Sequence, residues 1–462
     1  MTNDTGAQGT AATSESAHSQ RGLRRGLSFW DLVLFGIICV TPIAPLPPFG
    51  IAEKLSNGHA TLTIFIAMSA MLVTAISYGR MAGLYPQAGS AYTYVSRGLN
   101  PHAGFLAGWA TFLDYMIIPL ANVIYCAATM YRLMPSVPYG VWALVFAGIS
   151  TLLNLRGIRT GTRANQFLLT MMIGVLVVFV FLAIRYLVAA FGWTSLFSTT
   201  PIFNPATFDF NKVRTGTSFA ALTYIGFDAV TTLAEEVQDP RRTVPRATVT
   251  VCLFTGIVGG ALVYLAHLVW PDYRTFPQID TAFLDVTRRV GGAILFQAMA
   301  VVIILAQFGS ALTGQAGAAR LLFGMGRENV LPRRLFGYLD PRHHEPTRNV
   351  ILVGLLALGG AMVFDFEQAA EVLNFGAFLA FMGVNLAVIR QFYFAPARER
   401  KNIFSDLLIP LCGFLFCLAI WVSLPGPAKR IGSIWLGAGL VYHVIATRGF
   451  RRLPPRFELP TS

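Results

Sequence analysis

Phe35-Gly36-Ile37-Ile38-Cys39-Val40-Thr41-Pro42-Ile43-Ala44-Pro45, followed by Pro47, Pro48 and Gly50, is the stretch on which the fold turns. It is apolar enough to lie inside a membrane-spanning helix, yet its prolines remove amide donors and clash with the preceding turn. In lipid the freed carbonyls need partners, so such a break survives only where it lines a cavity or is buried in protein. A second interrupted stretch is Ser218-Phe219-Ala220-Ala221-Leu222-Thr223-Tyr224-Ile225-Gly226-Phe227-Asp228, where a glycine among aromatics precedes an acid inside an apolar run. The two fall five spans apart, the spacing an inverted five-plus-five repeat predicts, with discontinuous helices meeting near the midplane. Two ordinary kinks are the alternative, and no direct similarity between the halves is visible.

The rest of the chain supports a membrane setting. Of 462 residues, 55% are hydrophobic and 12% charged, and the mean hydropathy is +0.59. An ordinary soluble domain carries about 25% charged residues, so too little polar side chain remains to cover a water-exposed surface. The net charge of +13 would raise nucleic acid as a partner in a soluble protein. Here the basic residues sit in short loops between apolar runs, which is membrane topology. A bilayer core needs about 20 apolar residues per helix, and twelve candidates meet that, at 28–51, 59–82, 103–131, 137–155, 165–189, 215–237, 246–270, 292–323, 348–364, 369–390, 405–424 and 432–448. The longest polar connections lie around 83–102, 190–214, 271–291 and 324–347.

With the N-terminus inside, Lys and Arg divide about 25 to 10 in favour of the cytoplasmic side, so the positive-inside rule puts both termini there. Residues 1–27 are rich in Ser, Thr, Ala and Gly, lack the apolar core of a signal peptide, and read as a disordered cytoplasmic tail. Spans 1–5 then occupy 28–190, spans 6–10 occupy 212–391, spans 11 and 12 occupy 392–450, and 451–462 is a cytoplasmic C-terminal tail. Cys39, Cys126, Cys252, Cys412 and Cys417 all fall in apolar segments without metal-ligand spacing, and read as free thiols.

Span six continues through Glu235-Glu236 and Asp239-Pro240-Arg241-Arg242-Thr243-Val244-Pro245. With Tyr224-Ile225-Gly226-Phe227-Asp228 this resembles the signature of the amino acid–polyamine–organocation superfamily. Tyr85-Pro86-Gln87-Ala88-Gly89-Ser90-Ala91-Tyr92, Gly104-Phe105-Leu106-Ala107-Gly108-Trp109, and Arg320-Leu321-Leu322-Phe323-Gly324-Met325-Gly326-Arg327-Glu328-Asn329 fit it too, so the resemblance covers about 25–450. Ala75-Ile76-Ser77-Tyr78-Gly79, Leu113-Asp114-Tyr115 and Gly226-Phe227-Asp228-Ala229-Val230-Thr231-Thr232-Leu233 are similar to its bacterial putrescine-importing branch. The resemblance implies an all-α integral membrane protein of twelve transmembrane helices. It also implies a LeuT-like five-plus-five inverted repeat with helices one and six broken, and proton-linked uptake of a small amine across a bacterial inner membrane.

Amino-acid members of that superfamily carry a glycine-rich nest in broken span one whose free amides bind the substrate carboxylate. The matching positions here are Val40, Thr41 and Pro42. Pro42 has no amide, and a β-branched Val does not readily take the left-handed conformation that glycine supplies. A carbonyl freed near Ile38 can still accept from an ammonium, so a diamine fits better than an amino acid. Asp114 inside span three and Asp228 after the break in span six are acids at membrane depth, where a carboxylate faces the bundle interior or a partner. They are the expected partners of one substrate ammonium or of its coupled proton. Tyr115, Tyr224 and Phe227 would offer cation–π faces, and Gly226 the turn between them. The putrescine importers carry an acid where this chain has Pro47, which leaves room for a monoamine or an amino acid.

No P-loop is present, so a proton gradient is the expected energy source and Asp228 the expected proton carrier. Span five has no lysine in place of a sodium ion. Ser310 and Thr313 could line a sodium site, although such hydroxyls commonly bond their own backbone. Glu53, Asp272, Asp280, Asp285, Asp365, Glu367 and Glu371 on the outer side either draw cations inward or are ordinary solvated loop acids. Glu235, Glu236, Asp239 and Arg241 read as an inner gate or topological anchor. His343-His344-Glu345 lacks zinc spacing and Gly324-Met325-Gly326 lacks the third glycine and preceding strand of a dinucleotide loop. No cofactor or metal is expected. An amino-acid permease or exchanger of the same superfamily is the alternative function, and a membrane receptor or enzyme would need a soluble output domain or nucleophile–base pair that the sequence does not offer.

Overall fold

The computed structural model describes residues 26–86, 91–157, 162–327, 331–341, 345–394 and 402–454, with the side chains of 162–165 left aside. Of the disordered tail read over 1–27, residues 1–25 lie outside them, as do positions 87–90, 328–329 and 343–344 of the motifs above and the end beyond 454, whereas Gly26 and Leu27 are ordered against Glu236 and Val237. Among the described residues fifteen α-helices form: α1 Phe29–Val40, α2 Phe49–Leu55, α3 Ala60–Leu84, α4 Ala91–Gly98, α5 Pro101–Leu133, α6 Tyr139–Leu155, α7 Thr162–Phe191, α8 Phe210–Ala220, α9 Pro240–Val269, α10 Ala282–Arg327, α11 Arg333–Phe336, α12 Thr347–Ala361, α13 Phe366–Val388, α14 Ile409–Ser423 and α15 Gly426–Ala446. Each of the twelve expected spans overlaps one of these helices or, in spans one and six, an interrupted pair. Seven described helices are long and apolar enough to cross a membrane, and α1, α6 and α12 are shorter apolar helices.

Local chemistry sets the helix ends. Ser28 and Asp31 close a reciprocal capping box on α1. Asn100 caps α5 ahead of Pro101, whose missing amide costs nothing in the first turn. Asp365 caps α13 through the Gln368 amide at 2.7 Å. Inside α10, Gly292 at φ 64° bends the chain, so its first ten residues turn away from the rest. Part of the polar stretch 83–102 is not loop but the helix α4, packed against α5 and α13.

Packing divides into two groups. In the first, α1, α3, α9 and the far half of span six lie together; in the second, α5, α6, α10 and α12 do. Each group mixes elements five spans apart: α3 pairs with α9, and α5 with α10. Small residues permit the closeness. A Cβ at Gly79 of α3 would strike Pro245 of α9, and one at Gly83 would lie 3.0 Å from Arg241 Cα. α13 is enclosed by α5, α3, α4, α14 and α15, whereas α7 turns Val177, Val178 and Phe181 outward as a lipid-facing apolar stripe.

Candidate substrate site

Span one stops at Val40. Thr41 takes φ 64° and ψ 131°, and its amide donates back to the Ile37 carbonyl at 2.9 Å. Pro42 explains the ψ, because a residue before proline is driven to extended values. Turns then carry the chain to α2, through Ala44 N–H to Thr41 C=O at 3.1 Å and Leu46 N–H to Ile43 C=O at 2.9 Å. Pro42 brings no donor to the Ile38 carbonyl four residues back. The left-handed position therefore falls at Thr41 and not at Val40, which stays helical; it is carried without glycine.

Span six is broken as the sequence suggests. α8 tightens into a 3-10 turn over Ala221–Tyr224, Ile225 is extended, Gly226 takes φ 107°, and Phe227–Glu236 continues as a 3-10 helix. Gly226 serves both geometry and space: a Cβ there would lie 3.3 Å from the Cys39 carbonyl oxygen and 3.7 Å from Val40 Cα. The two breaks are thus in direct contact, with Ile38, Val40, Thr41 and Gly226 at one crossing.

Beside that crossing stand the acids. Asp114 is buried on α5; its carboxylate lies against α13 at Gly376 and Ala377, and Oδ1 has no hydrogen-bond partner among the described residues. Asp228, half-buried, is close enough to act electrostatically on Asp114, Tyr115 and Cys39. Cys39 remains accessible although protein surrounds it on most sides, which marks a crevice at the break. Half-buried Tyr115 packs its ring along α10 at Gly317. The structure therefore gathers Asp114, Tyr115 and Asp228 from α5 and span six around the break.

Tyr224 and Phe227 are placed differently. Tyr224 is fully buried and its hydroxyl donates to the Ile64 carbonyl at 2.9 Å, tying span six to α3. Phe227 is also fully buried, its ring centroid 5.6 Å from Tyr78 and 5.4 Å from Phe381. Neither ring offers a free face to the crevice in this conformation. Two buried groups not singled out in the sequence, Tyr78 and Tyr94 with ring centroids 5.9 Å apart, lie within the field of Asp228; the Tyr78 hydroxyl has no hydrogen-bond partner among the described residues, and that of Tyr94 lies beside Thr231. Tyr78 lies within one of the quoted motifs, but nothing in its spacing separates it from a core aromatic.

Among the described residues no three His, Cys, Asp or Glu gather closely enough to hold a metal ion. Ser310 accepts from Asn122 Nδ2 at 3.0 Å, and the Thr313 hydroxyl donates to the Gly309 and Ser310 carbonyls, so Thr313 bonds its own helix. Glu345 pairs with Arg320 at 3.3 Å.

The amino acid permease family profile matches residues 50–425. The chain belongs to the amino acid permease family. It is 32% identical to the low-affinity putrescine importer PlaP of Escherichia coli strain K12 over 94% of this chain and 96% of that one. It is 26% identical to the branched-chain amino acid permease BcaP of Lactococcus lactis, over 88% and 91%, and 26% identical to the methylthioribose transporter of Bacillus subtilis, over 94% and 96%. The crystal structure of MhsT in complex with L-phenylalanine superposes with a TM-score of 0.53 at 16% identity, covering 91% of this chain and 100% of MhsT. The fold is LeuT-like, and this member of the family is a multi-pass membrane transporter, not an enzyme.

Proposed function

We propose that this permease imports putrescine or a related small amine with protons, by alternating access around the breaks in spans one and six. It would do so in a bacterial inner membrane with both termini cytoplasmic. One observation carries the reading: at the break the Thr41 amide is already bonded to Ile37 and Pro42 has none, while Asp114 presents an unpartnered carboxylate oxygen nearby. Such a site is poor in donors for a carboxylate and rich in acceptors for an ammonium. Similarity to PlaP across nearly the whole chain supports the same class of substrate.

Asp114 and Asp228 bind the ammonium or exchange it for a proton, with Tyr115 beside them and the Ile38 carbonyl as a further acceptor. Two carboxylates that act on one another at the break suit coupling, because an arriving cation and a bound proton compensate the same site. Tyr224, Gly226, Phe227, Val40 and Thr41 shape the crossing.

The test is uptake of labelled putrescine into proteoliposomes under an imposed inward proton gradient, with lysine, ornithine, spermidine and neutral amino acids as competitors. Uptake should collapse with a protonophore, need no sodium, and yield to diamines. Asp228→Asn should lower it by at least about tenfold, the scale of one charge-assisted contact. Competition by amino acids without putrescine uptake would make this an amino-acid permease or exchanger. Wild-type uptake by Asp228→Asn at every pH would remove that residue from the mechanism.

A further inference from the structure

Eight acids lie at the end of the molecule read as external, and four are engaged away from α13, among them Asp209, which caps α8 through the Asn211 amide at 2.8 Å. Glu53 accepts from His267 Nδ1 at 3.1 Å, Asp285 pairs with Arg132, and Asp272 accepts from the Arg274 amide at 3.1 Å. The other four gather at the start of α13. Asp365 caps that helix, and Glu367 and Glu371 lie one turn apart on one face of it. Asp280 comes from the 3-10 turn Ile279–Thr281 that precedes α10. Lys54, at the end of α2, pairs with Glu367 at 3.1 Å. Asp365, Glu367 and Lys54 all act through space on both Glu371 and Asp280, so the five form one charged group.

Two buried polar groups show that this is more than a solvated acidic patch. Glu371 is 3% exposed, and its Oε1 has no hydrogen-bond partner among the described residues. Tyr125 is fully buried, its hydroxyl likewise unpartnered and in the field of Asp280, and its ring meets Phe366 edge-on at 5.1 Å. Buried acceptors are ordinarily satisfied. The carboxylates are also too dispersed to cage an inorganic ion, since no three of them come within metal-holding reach. Acceptors spread over a surface suit a cation that is itself extended and carries several N–H donors.

The geometry points to an outer binding site for an organic diammonium compound, formed by Glu371, Glu367, Asp365 and Asp280 with Lys54 as its resident counter-charge. The inference rests on the amine transport proposed above and adds a station ahead of the central acids. An ammonium entering beside Glu367 competes with Lys54 for the same carboxylate. Because Lys54 sits on α2, the outer half of broken span one, the exchange loosens its tie to α13 as substrate arrives.

Equilibrium binding of tritiated putrescine to the purified full chain, in detergent at low salt and with Asp228→Asn to disable the central site, separates the two stations. The Asp228→Asn protein should still bind putrescine, and adding Glu371→Gln or the more exposed Glu367→Gln should each weaken binding by about tenfold. Unlabelled putrescine should compete better than n-butylamine. Loss of all binding in Asp228→Asn alone, or no effect of either glutamate change, would overturn the outer site; equal competition by n-butylamine would overturn its diammonium character. Wild-type protein that binds putrescine at the glutamates yet carries none into proteoliposomes would leave the outer site standing and remove the transport reading instead.

Discussion

Thr41 and Gly226 face each other with opposite solutions to one problem. Each sits at positive φ, but only Gly226 is free of a Cβ. Gly226→Ala should cost roughly 1–3 kcal/mol from backbone conformation alone, and should also push the breaks apart at the Cys39 carbonyl. Thermal unfolding in detergent should show the loss, and uptake should fall further than stability does. Thr41→Gly relieves the same strain at Thr41 and should raise stability by about 1 kcal/mol, the strain less the entropy glycine adds to the unfolded chain. At this scale the sequence was partly legible. Asp114 and Asp228 stand out because an acid in an apolar run is costly, and the structure places both beside the break. Tyr224 and Phe227 could not be told from site residues, because an aromatic beside a break carries no mark of which way its ring faces.

Among the elements, the spans were legible because some twenty apolar residues have few other uses. The short helix α4 was not, since Ala91–Gly98 is amphipathic and carries Arg97, and so resembles loop in hydropathy. The ten-residue 3-10 run Phe227–Glu236 was equally hidden: nothing local forbids an ordinary α-helix there, and the geometry comes from packing on α1 and α9. Runs of that length are uncommon and less well bonded than an α-helix. Amide hydrogen exchange over Phe227–Glu236 should therefore be faster than over α3 or α9 at the same depth. The α3–α9 seam should behave in the opposite way. Gly79→Val forces the backbones apart at Pro245 and should destabilise the protein by about 1–3 kcal/mol, read as a lower unfolding temperature.

At the scale of the whole molecule the two breaks converge, and the start of span one is joined to the end of span six. The amides of Gly26 and Leu27 both donate to the Glu236 carbonyl, at 2.9 and 3.1 Å, and Leu27 and Val237 form a short parallel bridge. Under the alternating access proposed above, this junction parts in each cycle. A Leu27→Cys/Val237→Cys pair, roughly 5 Å apart as bridged residues are, should therefore cross-link under oxidation and halt uptake, with recovery on reduction. Its thiols should be tested in a background lacking accessible Cys39 and Cys412. The sequence marks Glu235, Glu236, Asp239 and Arg241 as an inner gate or topological anchor by charge; the structure adds peptide hydrogen bonds at the same place.

That distinction alters what mutational surveys of this permease can see. A fastening made by the main chain is indifferent to side-chain identity, so alanine substitution at Glu236 would leave its hydrogen bonds in place. Proline at Leu27 deletes one donor outright. A scan built on proline, or on ester in place of amide, would find a hinge pin that conventional scanning passes over.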